Sequence, residues 1–479
     1  QRRGPAQRVD RLSREHAMKA LGAGVVVSLV VSSAAFAQVF SLNRAGSGAR
    51  AAGMGNAFIA ISDDGTAASW NPAGLAQLRQ PEFSLVHTAG HRNQYVEGFR
   101  SSDGSAAFTD LKTTSNSSNI EFASAALPFT LGSRPVTVQL GWRRLYQFSG
   151  GLRGITRRVP MNADGRPEST IRYDNVSDGS VNIWALASAV RLTNRLSLGM
   201  SADFYHGTWE DRMSASEDPG ILGPTDFVTG RGTNKIGGQS VSLGLLLAYP
   251  EVKVGLVYHK ALRSPYDVAE SRRSTFAEAV DTSFTGEEGY QLRFPRSIGF
   301  GVAWVPQPLL RFAVDLTYDE WKKFLVRVPG GLQSGFDGLP PGLTTARNTV
   351  TLNAGVERLF PVEGRYVPLR LGFSHEPQGG RDPVVRENTH HTVLAAGTGI
   401  NSNSVKFDVA IEYRWGSFNH TTSISPVYLS GHAADLGFPT GPEAQGTTRM
   451  QEWRLKVSMI YRLADTDRIK DVVRRVIGS

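Results

Sequence analysis

Alternation of apolar and polar residues recurs along most of the chain, and this period of two constrains the fold more than any other feature. Between residues 308 and 320 it puts Leu310 and Phe312 on one face and small or charged residues on the other. The same pattern covers 403–416 and 449–463. Because successive side chains of a β-strand point to opposite faces, each stretch predicts a strand with one apolar side.

Fourteen such strands are predicted, and the connections between them alternate between long and short. The predicted strands are 81–91, 119–129, 135–148, 179–192, 194–208, 237–249, 252–262, 293–305, 308–320, 347–360, 365–376, 389–400, 403–416 and 449–463. Long loops at one end and tight turns at the other are typical of bacterial outer-membrane barrels, and an even strand number closes the sheet. We therefore predict an all-β fold, a 14-stranded antiparallel transmembrane β-barrel.

Strand length and aromatic residues favour a membrane barrel over a soluble β-sandwich. Many predicted strands reach about ten residues, enough to cross a bilayer when tilted. Several end in Tyr or Trp, such as Tyr258 and Trp415, as interface girdles require. The chain lacks an apolar run of about 18 residues, which argues against a helical membrane protein. A soluble β protein is the alternative, and detergent-dependent solubility would distinguish the two.

A Gly- and Ala-rich stretch, 45–75, precedes the first predicted strand. Its small side chains let the backbone lie close against surrounding structure. Asn71 followed by Pro72 predicts a helix N-cap with proline at the first helical position. We predict that residues 38–80 form a hatch, or plug, inside a barrel formed by residues 81–463.

The first 37 residues have the features of an export leader. Met18-Lys19 gives a basic start, Ala20–Val31 is an apolar run, and Ala35-Phe36-Ala37 has the small-x-small form of a signal-peptidase site. We place cleavage before Gln38. The apolar run is too short for a spanning helix.

Charge and cysteine content exclude several function classes. The formal net charge is +9, and residues 1–37 hold six Lys/Arg against two acids, so four of those nine charges belong to the leader. The remaining five are dispersed without a basic stripe, which argues against nucleic-acid binding. The absence of cysteine excludes disulfides, thiolate metal sites and a cysteine nucleophile.

The pattern of residues 464–479 predicts a short amphipathic helix in the periplasm.

Four stretches resemble the FadL-like outer-membrane transporters of long-chain fatty acids and aromatic hydrocarbons. They are Ser47–Ala76, Phe294–Phe324, Leu369–Pro377 and Val405–Gly416. The first, SGARAAGMGNAFIAISDDGTAASWNPAGLA, is the most specific. A similar Gly/Ala-rich start and Asn-Pro-Ala turn also occur in barrels like the type IX secretion component PorV. A non-transport barrel acting as a secretion-system or surface scaffold component is therefore the alternative function.

The resemblance implies a fourteen-stranded barrel plugged by its hatch, which takes up hydrophobic compounds and releases them sideways through the wall near a kinked strand. The family's hatch turn corresponds to Asn71, Pro72 and Ala73, and with Gly74 these residues are the predicted gate. The implied cargo is a hydrophobic small molecule, most readily a long-chain fatty acid, and otherwise an aromatic hydrocarbon. The implied transporter is passive, needs no cofactor, contacts outer-membrane lipid and lipopolysaccharide, and acts as a monomer.

Four arginines fall on the predicted lumen face: Arg143, Arg370, Arg414 and Arg454. Arginine offers a bidentate fork to a fatty carboxylate, so each is a candidate ligand contact. Lumen arginines also form structural networks with Asp and Glu across a barrel. The sequence leaves both roles open.

An enzyme is a further alternative. Ser374, His375 and Glu376 are adjacent, and His390-His391 follows, but Ser374 and His375 point to opposite faces of one predicted strand. That geometry prevents a nucleophile–base pair between them, so we predict no catalysis.

The adjacent acids at positions 63 and 64 are interpreted as a capped, solvated turn, and no metal site is predicted.

Overall fold

The computed structural model describes residues 46–101, 106–160, 169–218, 226–276, 280–328, 330–381, 386–422 and 444–463. The predicted leader, its cleavage site before Gln38 and the predicted tail at 464–479 lie outside the described residues.

Within these residues, nineteen strands form one antiparallel sheet. They are Glu82–Ser101 (β1), Ala106–Phe108 (β2), Leu111–Leu131 (β3), Arg134–Pro160 (β4), Ser169–Arg191 (β5), Leu196–Asp218 (β6), Asp226–Ala248 (β7), Val252–His259 (β8), Leu262–Phe276 (β9), Val280–Phe294 (β10), Ser297–Gln307 (β11), Leu310–Asp319 (β12), Leu325–Val328 (β13), Gly331–Ser334 (β14), Thr349–Val362 (β15), Arg365–Pro377 (β16), His390–Asn401 (β17), Val405–Thr422 (β18) and Ala444–Arg462 (β19).

The sheet closes on itself, because β1 pairs with β19 on one side and with β3 on the other. The register between β1 and β19 runs from Glu82 opposite Arg462 to Ser101 opposite Ala444. Tight turns join the strands at one end, at 132–133 and 192–195 for example, and longer segments join them at the other. We call these the short-turn end and the long-loop end. The predicted closed all-β barrel is confirmed.

Sixteen strands have eight or more residues, whereas the sequence predicted fourteen. The difference arises at 263–292, which was predicted as a loop but forms most of the β9–β10 hairpin. β8 and β9 follow one another along β7, and β10 and β11 follow one another with a break at Pro295-Arg296. Each of these two pairs therefore occupies a single position around the barrel.

The wall has the predicted division between an apolar outer face and a polar inner face. On β12, Val314 is 46% exposed while its neighbour Asp315 is 1% exposed. On β18, Phe407 and Ile411 are exposed while Asp408 is buried. The alternation read from the sequence therefore gave the correct face for both strands.

The strands extend far into the predicted loops at the long-loop end. β4 has 27 residues and β5, β6 and β7 have 23 each. The loops predicted at 149–178 and 209–236 are therefore largely strand, and these predictions were wrong. Both faces of these extensions carry many polar residues, so the apolar–polar period that marks a strand is weak there.

Residues 46–80, which we call the plug, lie inside the barrel. The plug contains a short α-helix, Ala49–Gly53 (α1), and 3₁₀ helices at Ala67–Ser69 and Pro72–Gln77; a third 3₁₀ helix, Trp321–Lys323, lies outside it. α1 contacts β16–β19, and Pro72–Gln77 contacts β4–β7. Contacts with both groups of strands show that the plug spans the bore.

No helix in the described part of the chain is long and apolar enough to cross a membrane.

Glycines on the wall permit the plug to approach the strands at backbone distance. A Cβ atom at Gly372 would lie 1.9 Å from the backbone nitrogen of Gly55, which itself has φ of +62°. A Cβ at Gly199 would lie 2.3 Å from the nitrogen of Ala73. Both wall positions therefore exclude a side chain while the plug is in place.

Candidate functional site

A cavity of about 160 Å³ lies on the long-loop side of the plug, with Gly46 of the plug in its lining. Aromatic and aliphatic side chains of β4, among them Tyr146 and Phe148, form one part of the lining. The charged residues of the lining are Arg92, Glu121, Arg144, Glu376, Arg414, Glu452, Arg454 and Lys456. The site thus combines an apolar surface with a dense set of charges.

The barrel wall loosens beside this cavity. β3 and β4 pair from Leu131 opposite Arg134 up to Phe122 opposite Arg143, and the ladder between them ends there. Both strands are irregular at this point. In β3 the register slips by one residue at Glu121, and in β4 it slips between Arg144 and Tyr146. An extra residue in each strand bends it and disrupts the ladder locally.

We call the region where 117–121 of β3 and 144–149 of β4 both line the cavity the wall passage. Ile120 is on the outer face and 48% exposed, yet it lines the same cavity as inward-facing Glu121. The cavity therefore extends between the two strands toward the outer surface of the barrel. Beyond the passage, Thr113 and Arg153 reconnect the strands through hydrogen bonds of 2.9 and 3.0 Å.

Ion pairs organise the charged side of the cavity. Glu452 accepts from Arg92 at 2.9 Å and from Arg454 at 2.7 Å. Arg414 pairs with Glu376 at 3.1 Å, and Lys456 pairs with Glu121 at 3.0 Å. Three of these pairs join different strands along the wall, and the pair of Arg454 with Glu452 lies within β19.

The structure separates the four predicted arginines into two groups. Arg414 and Arg454 line the cavity, while Arg143 and Arg370 contact the plug region. Arg143 donates to the carbonyl of Ser69 at 3.2 Å.

Arg370 is buried and engaged by two carboxylates, those of Glu357 at 2.7 Å and Asp408 at 2.8 Å. Neither Arg143 nor Arg370 lines the cavity.

The predicted gate turn, Asn71 to Gly74, lies where the plug meets the wall. The Asn71 amide donates to the carbonyls of Leu245 at 3.0 Å and Ile59 at 3.2 Å, and its Oδ1 accepts from Ala73 at 3.1 Å. The predicted N-cap with Pro72 at the first helical position is confirmed. Asn71 thus links the wall, the plug and the start of the 3₁₀ helix.

Ion pairs also anchor the plug on the side of β12, β15, β16 and β18. Arg50 binds Glu357 through Nε and Nη2, both at 3.1 Å, and also bonds to Asp63. Lys406 pairs with Asp64 at 2.8 Å. The turn at Asp63 and Asp64, predicted to be solvated, is in fact part of a largely buried network, because lumen cations replace water around it.

Those cations determine how the two plug carboxyls titrate. Burial acts to raise the pKa of Asp63, but Arg50 and Arg311 outweigh it and hold that pKa well below its usual value. The pKa of Asp64 is lowered in the same way by Lys406 and Arg50 against the effect of burial. Both groups are therefore ionised throughout the physiological pH range.

Asp315 of β12 also anchors the plug, and it does so through backbone donors rather than through a cation. Its Oδ2 accepts from the backbone nitrogens of Phe58 at 2.6 Å and Ile59 at 2.7 Å. These two donors lie in the plug and would otherwise be buried without an acceptor.

Aromatic rings continue from the cavity toward the long-loop end. Tyr146 lies 6.1 Å from Phe294, Phe294 lies 5.2 Å from Phe324, and Phe324 lies 5.1 Å from Phe336, measured between ring centroids. Phe324 and Phe336 belong to the segment between β12 and β15. A row of buried rings therefore connects this segment with the cavity.

The residues considered for catalysis are arranged as the sequence predicted. Ser374 faces the lumen and donates to Asn353 at 2.7 Å, while the ring of His375 lies 5.0 Å from that of His390. Glu376 lies opposite His391, two cross-strand pairs along from Ser374. Ser374 and His375 form no hydrogen bond, so this part of the described chain shows no nucleophile–base pair.

Sequence reasoning missed Glu121, Arg144 and Tyr146. For Arg144 and Tyr146 the signal was the stretch WRRLYQF at 142–148, in which two consecutive arginines interrupt the alternation of the strand. Such an interruption is what a β-bulge produces, since the extra residue shifts the period by one. The alternation was interpreted as continuous through this stretch, so the wall passage was not located.

A comparison of the sequence with models of protein families gives no match. A comparison with curated proteins gives none either.

Solved structures are similar over most of the chain. A FadL homologue from Pseudomonas aeruginosa has 12% identity and a TM-score of 0.62, over 88% of this chain and 99% of that one. The toluene transporter TodX from P. putida has 12% identity and a TM-score of 0.57, over 88% and 100%. The CymD monoaromatic hydrocarbon channel has 14% identity and a TM-score of 0.52, over 88% and 99%. The chain therefore has the FadL-like fold, and the predicted resemblance is confirmed at this level.

Proposed function

We propose that this protein is a passive transporter of hydrophobic compounds in the bacterial outer membrane. Cargo enters at the long-loop end, passes the hatch and leaves through the wall passage into the bilayer. The observation that carries the proposal is the cavity that extends between β3 and β4 where their pairing ends. Long-chain fatty acids are the proposed cargo class, and monoaromatic hydrocarbons are the alternative suggested by the structural neighbours.

The remaining parts of the chain take matching roles. The leader ends at residue 37, residues 38–80 are the hatch, and 464–479 form a periplasmic tail. We propose that β8 with β9, and β10 with β11, each serve as one membrane crossing, so that sixteen longer strands make fourteen crossings; the shared pairing of β8 and β9 with β7 supports this. We propose that Asn71, Pro72, Ala73 and Gly74 act as the gate. The barrel acts as a monomer in contact with outer-membrane lipid and lipopolysaccharide.

If the barrel lies in a membrane, a charge placed on its outer face should destabilise it. Substituting Leu371→Arg, at a position 54% exposed within β16, is expected to lower the free energy of unfolding by about 2–4 kcal/mol. Leu131→Arg is the matched control, because Leu131 is 53% exposed but ends β3 beside a short turn. There the expected loss is about 0–1 kcal/mol, since interface positions tolerate charge. Urea unfolding in lipid vesicles measures both, and equal losses would contradict immersion of this face in lipid.

The wall passage makes the prediction that tests transport itself. Deleting Leu145 removes the extra residue of β4 and should extend the β3–β4 ladder past Phe122, closing the passage. Uptake of radiolabelled oleate by cells that lack their own fatty acid transporter should rise with the wild-type protein. It should fall to background with the deletion variant. Leu145→Ala retains the extra residue and should retain uptake.

Heat-modifiable gel mobility would establish that the deletion variant still forms a barrel. Normal uptake by a folded deletion variant would contradict exit through this passage.

The charged lining supports one competing function. Eight charged side chains line the cavity, and seven of them form salt bridges with one another within the barrel. A surface scaffold or secretion-system component, which keeps its lumen closed, would have such a network. Absence of uptake for fatty acids and hydrocarbons alike, with a folded barrel, would favour that function.

A further inference from the structure

Arg144 differs from the other cations around the cavity. Four of the five cations in the lining are paired with carboxylates: Arg92 and Arg454 with Glu452, Arg414 with Glu376, and Lys456 with Glu121. Arg144 also lines the cavity, at the wall passage, but forms no salt bridge with a carboxylate among the described residues; Glu121 attracts it only from beyond contact distance.

The guanidinium of Arg144 has a hydrogen-bond donor that no acceptor in the described part of the chain uses. One nitrogen, Nη1, donates to Gln147 at 2.7 Å, while Nε is buried and has no hydrogen-bond acceptor. The guanidinium carbon lies 5.9 Å from the ring centroid of Trp142. Glu121 is the lining carboxylate on the facing strand, but its two oxygens accept from Lys456 and Thr88. Arg144 is therefore positioned to bind an anion that the protein does not supply.

The charge balance of the cavity supports the same conclusion. Five cations and three carboxylates line it. Glu412, which lies 4.0 Å from Lys456, adds a fourth carboxylate just outside the lining. One positive charge remains, which matches the unpaired Arg144. A partly desolvated cation is unfavourable without a counter-charge, so the site favours a monoanionic occupant.

Size and shape restrict that occupant. The cavity volume is about 160 Å³, and a cavity of about 150 Å³ in another protein holds one benzene molecule. Tyr146 and Phe148 line this cavity beside Arg144, and aromatic rings pair favourably with a planar ring in stacked or edge-on geometry. A carboxylate can accept two parallel hydrogen bonds from one guanidinium.

From these features we infer that the wall passage recognises a single-ring aromatic carboxylate. Arg144 binds the carboxylate, and Tyr146 and Phe148 contact the ring. This inference rests on the proposed transport function and makes Arg144 the residue that separates aromatic acids from neutral aromatic hydrocarbons. Arg144 lies outside the set of arginines predicted from the sequence.

Equilibrium binding to the full chain tests the inference. The protein is placed in nanodiscs of zwitterionic phospholipid, and binding of radiolabelled benzoate and toluene is measured. Benzoate should bind more tightly than toluene. Arg144→Gln should weaken benzoate binding about tenfold or more, because a charge-assisted pair is lost, and should leave toluene binding unchanged. Arg195→Gln is the matched control, because Arg195 also lies over an aromatic ring, 4.9 Å from that of Tyr249, but at the short-turn end. It should change neither affinity.

Each other outcome has a defined meaning. Toluene binding without benzoate binding, or equal benzoate binding by wild type and Arg144→Gln, would overturn the inference and leave the transport proposal standing. Loss of benzoate binding when anionic lipid is added to the disc would show that Arg144 holds a lipid headgroup, which also overturns it. If neither probe binds and oleate uptake is absent, both proposals fail.

Discussion

Substituting Gly372→Val is expected to displace the plug and leave an open pore. A Cβ atom at this position would lie 1.9 Å from the nitrogen and 2.5 Å from the Cα of Gly55. Both are backbone atoms, so no side chain can rotate away to relieve the contact. Overpacking of a close-packed site costs about 1–3 kcal/mol and sometimes more, and a backbone clash belongs at the upper end of that range.

Conductance across a planar bilayer measures this effect. The wild-type protein should be closed, because the plug spans the bore between β4–β7 and β16–β19. The Gly372→Val variant should show a persistent ion current. Gly237→Val is the matched control on another strand, since the nearest atom to its added Cβ is the carbonyl oxygen of Tyr205 at 3.8 Å. A closed, normally stable Gly372→Val barrel would show that the plug does not depend on this contact.

The second large effect is expected at Arg50. Arg50→Met keeps much of the side-chain volume but removes the charge that Asp63 and Glu357 share. Removing one member of a buried ion network leaves the others uncompensated, and such losses amount to about 3–5 kcal/mol. Arg50→Lys keeps the charge but loses the paired contacts to Glu357. Its free energy of unfolding should therefore lie between those of the wild type and Arg50→Met. Protease susceptibility measures whether the plug is released, and urea unfolding measures the loss of stability.

The pH dependence of this variant gives a specific signature. A carboxyl with a lowered folded-state pKa stabilises the fold above its unfolded pKa and loses that contribution as pH falls through the folded-state pKa. Because the pKa values of Asp63 and Asp64 are lowered, the wild-type protein is expected to keep this contribution between pH 7 and pH 4. In Arg50→Met the pKa values of these carboxyls rise, so acidification neutralises them in place. The stability difference between variant and wild type should therefore narrow as the pH falls, and a constant difference would contradict this electrostatic role.

The sequence was most informative where lipid-facing and lumen-facing residues alternate. β12 and β18 were predicted with their correct faces, because one side is apolar along all of β12 and along residues 405–415 of β18. The turn at Asn71 was also predicted, since its cap geometry depends on local chemistry alone. Closure of the sheet followed from the pattern of long and short connections.

Other features could not be read from the sequence, because they depend on partners far away in the chain. The extensions of β5 and β6 carry polar residues on both faces, so their period is weak and they were predicted as loops. Arg370 and Arg414 are the same residue type on the same face. Only their contacts, with Asp408 and Glu376 respectively, show which one lies by the plug and which one lines the cavity.

The plug is held by different chemistry on its two sides. Toward β12 and β18 it is fixed by charges, whereas toward β3 and β4 it offers neutral carbonyls, those of Gly65 to Ser124 and Gln139 and that of Ser69 to Arg143. Water can replace a donor to a carbonyl at little net loss, but it does not readily replace a buried counter-ion. A small rotation of the plug would therefore hinge on its ionic side and open first beside the wall passage, so that room for a passing molecule is made without separating buried charges.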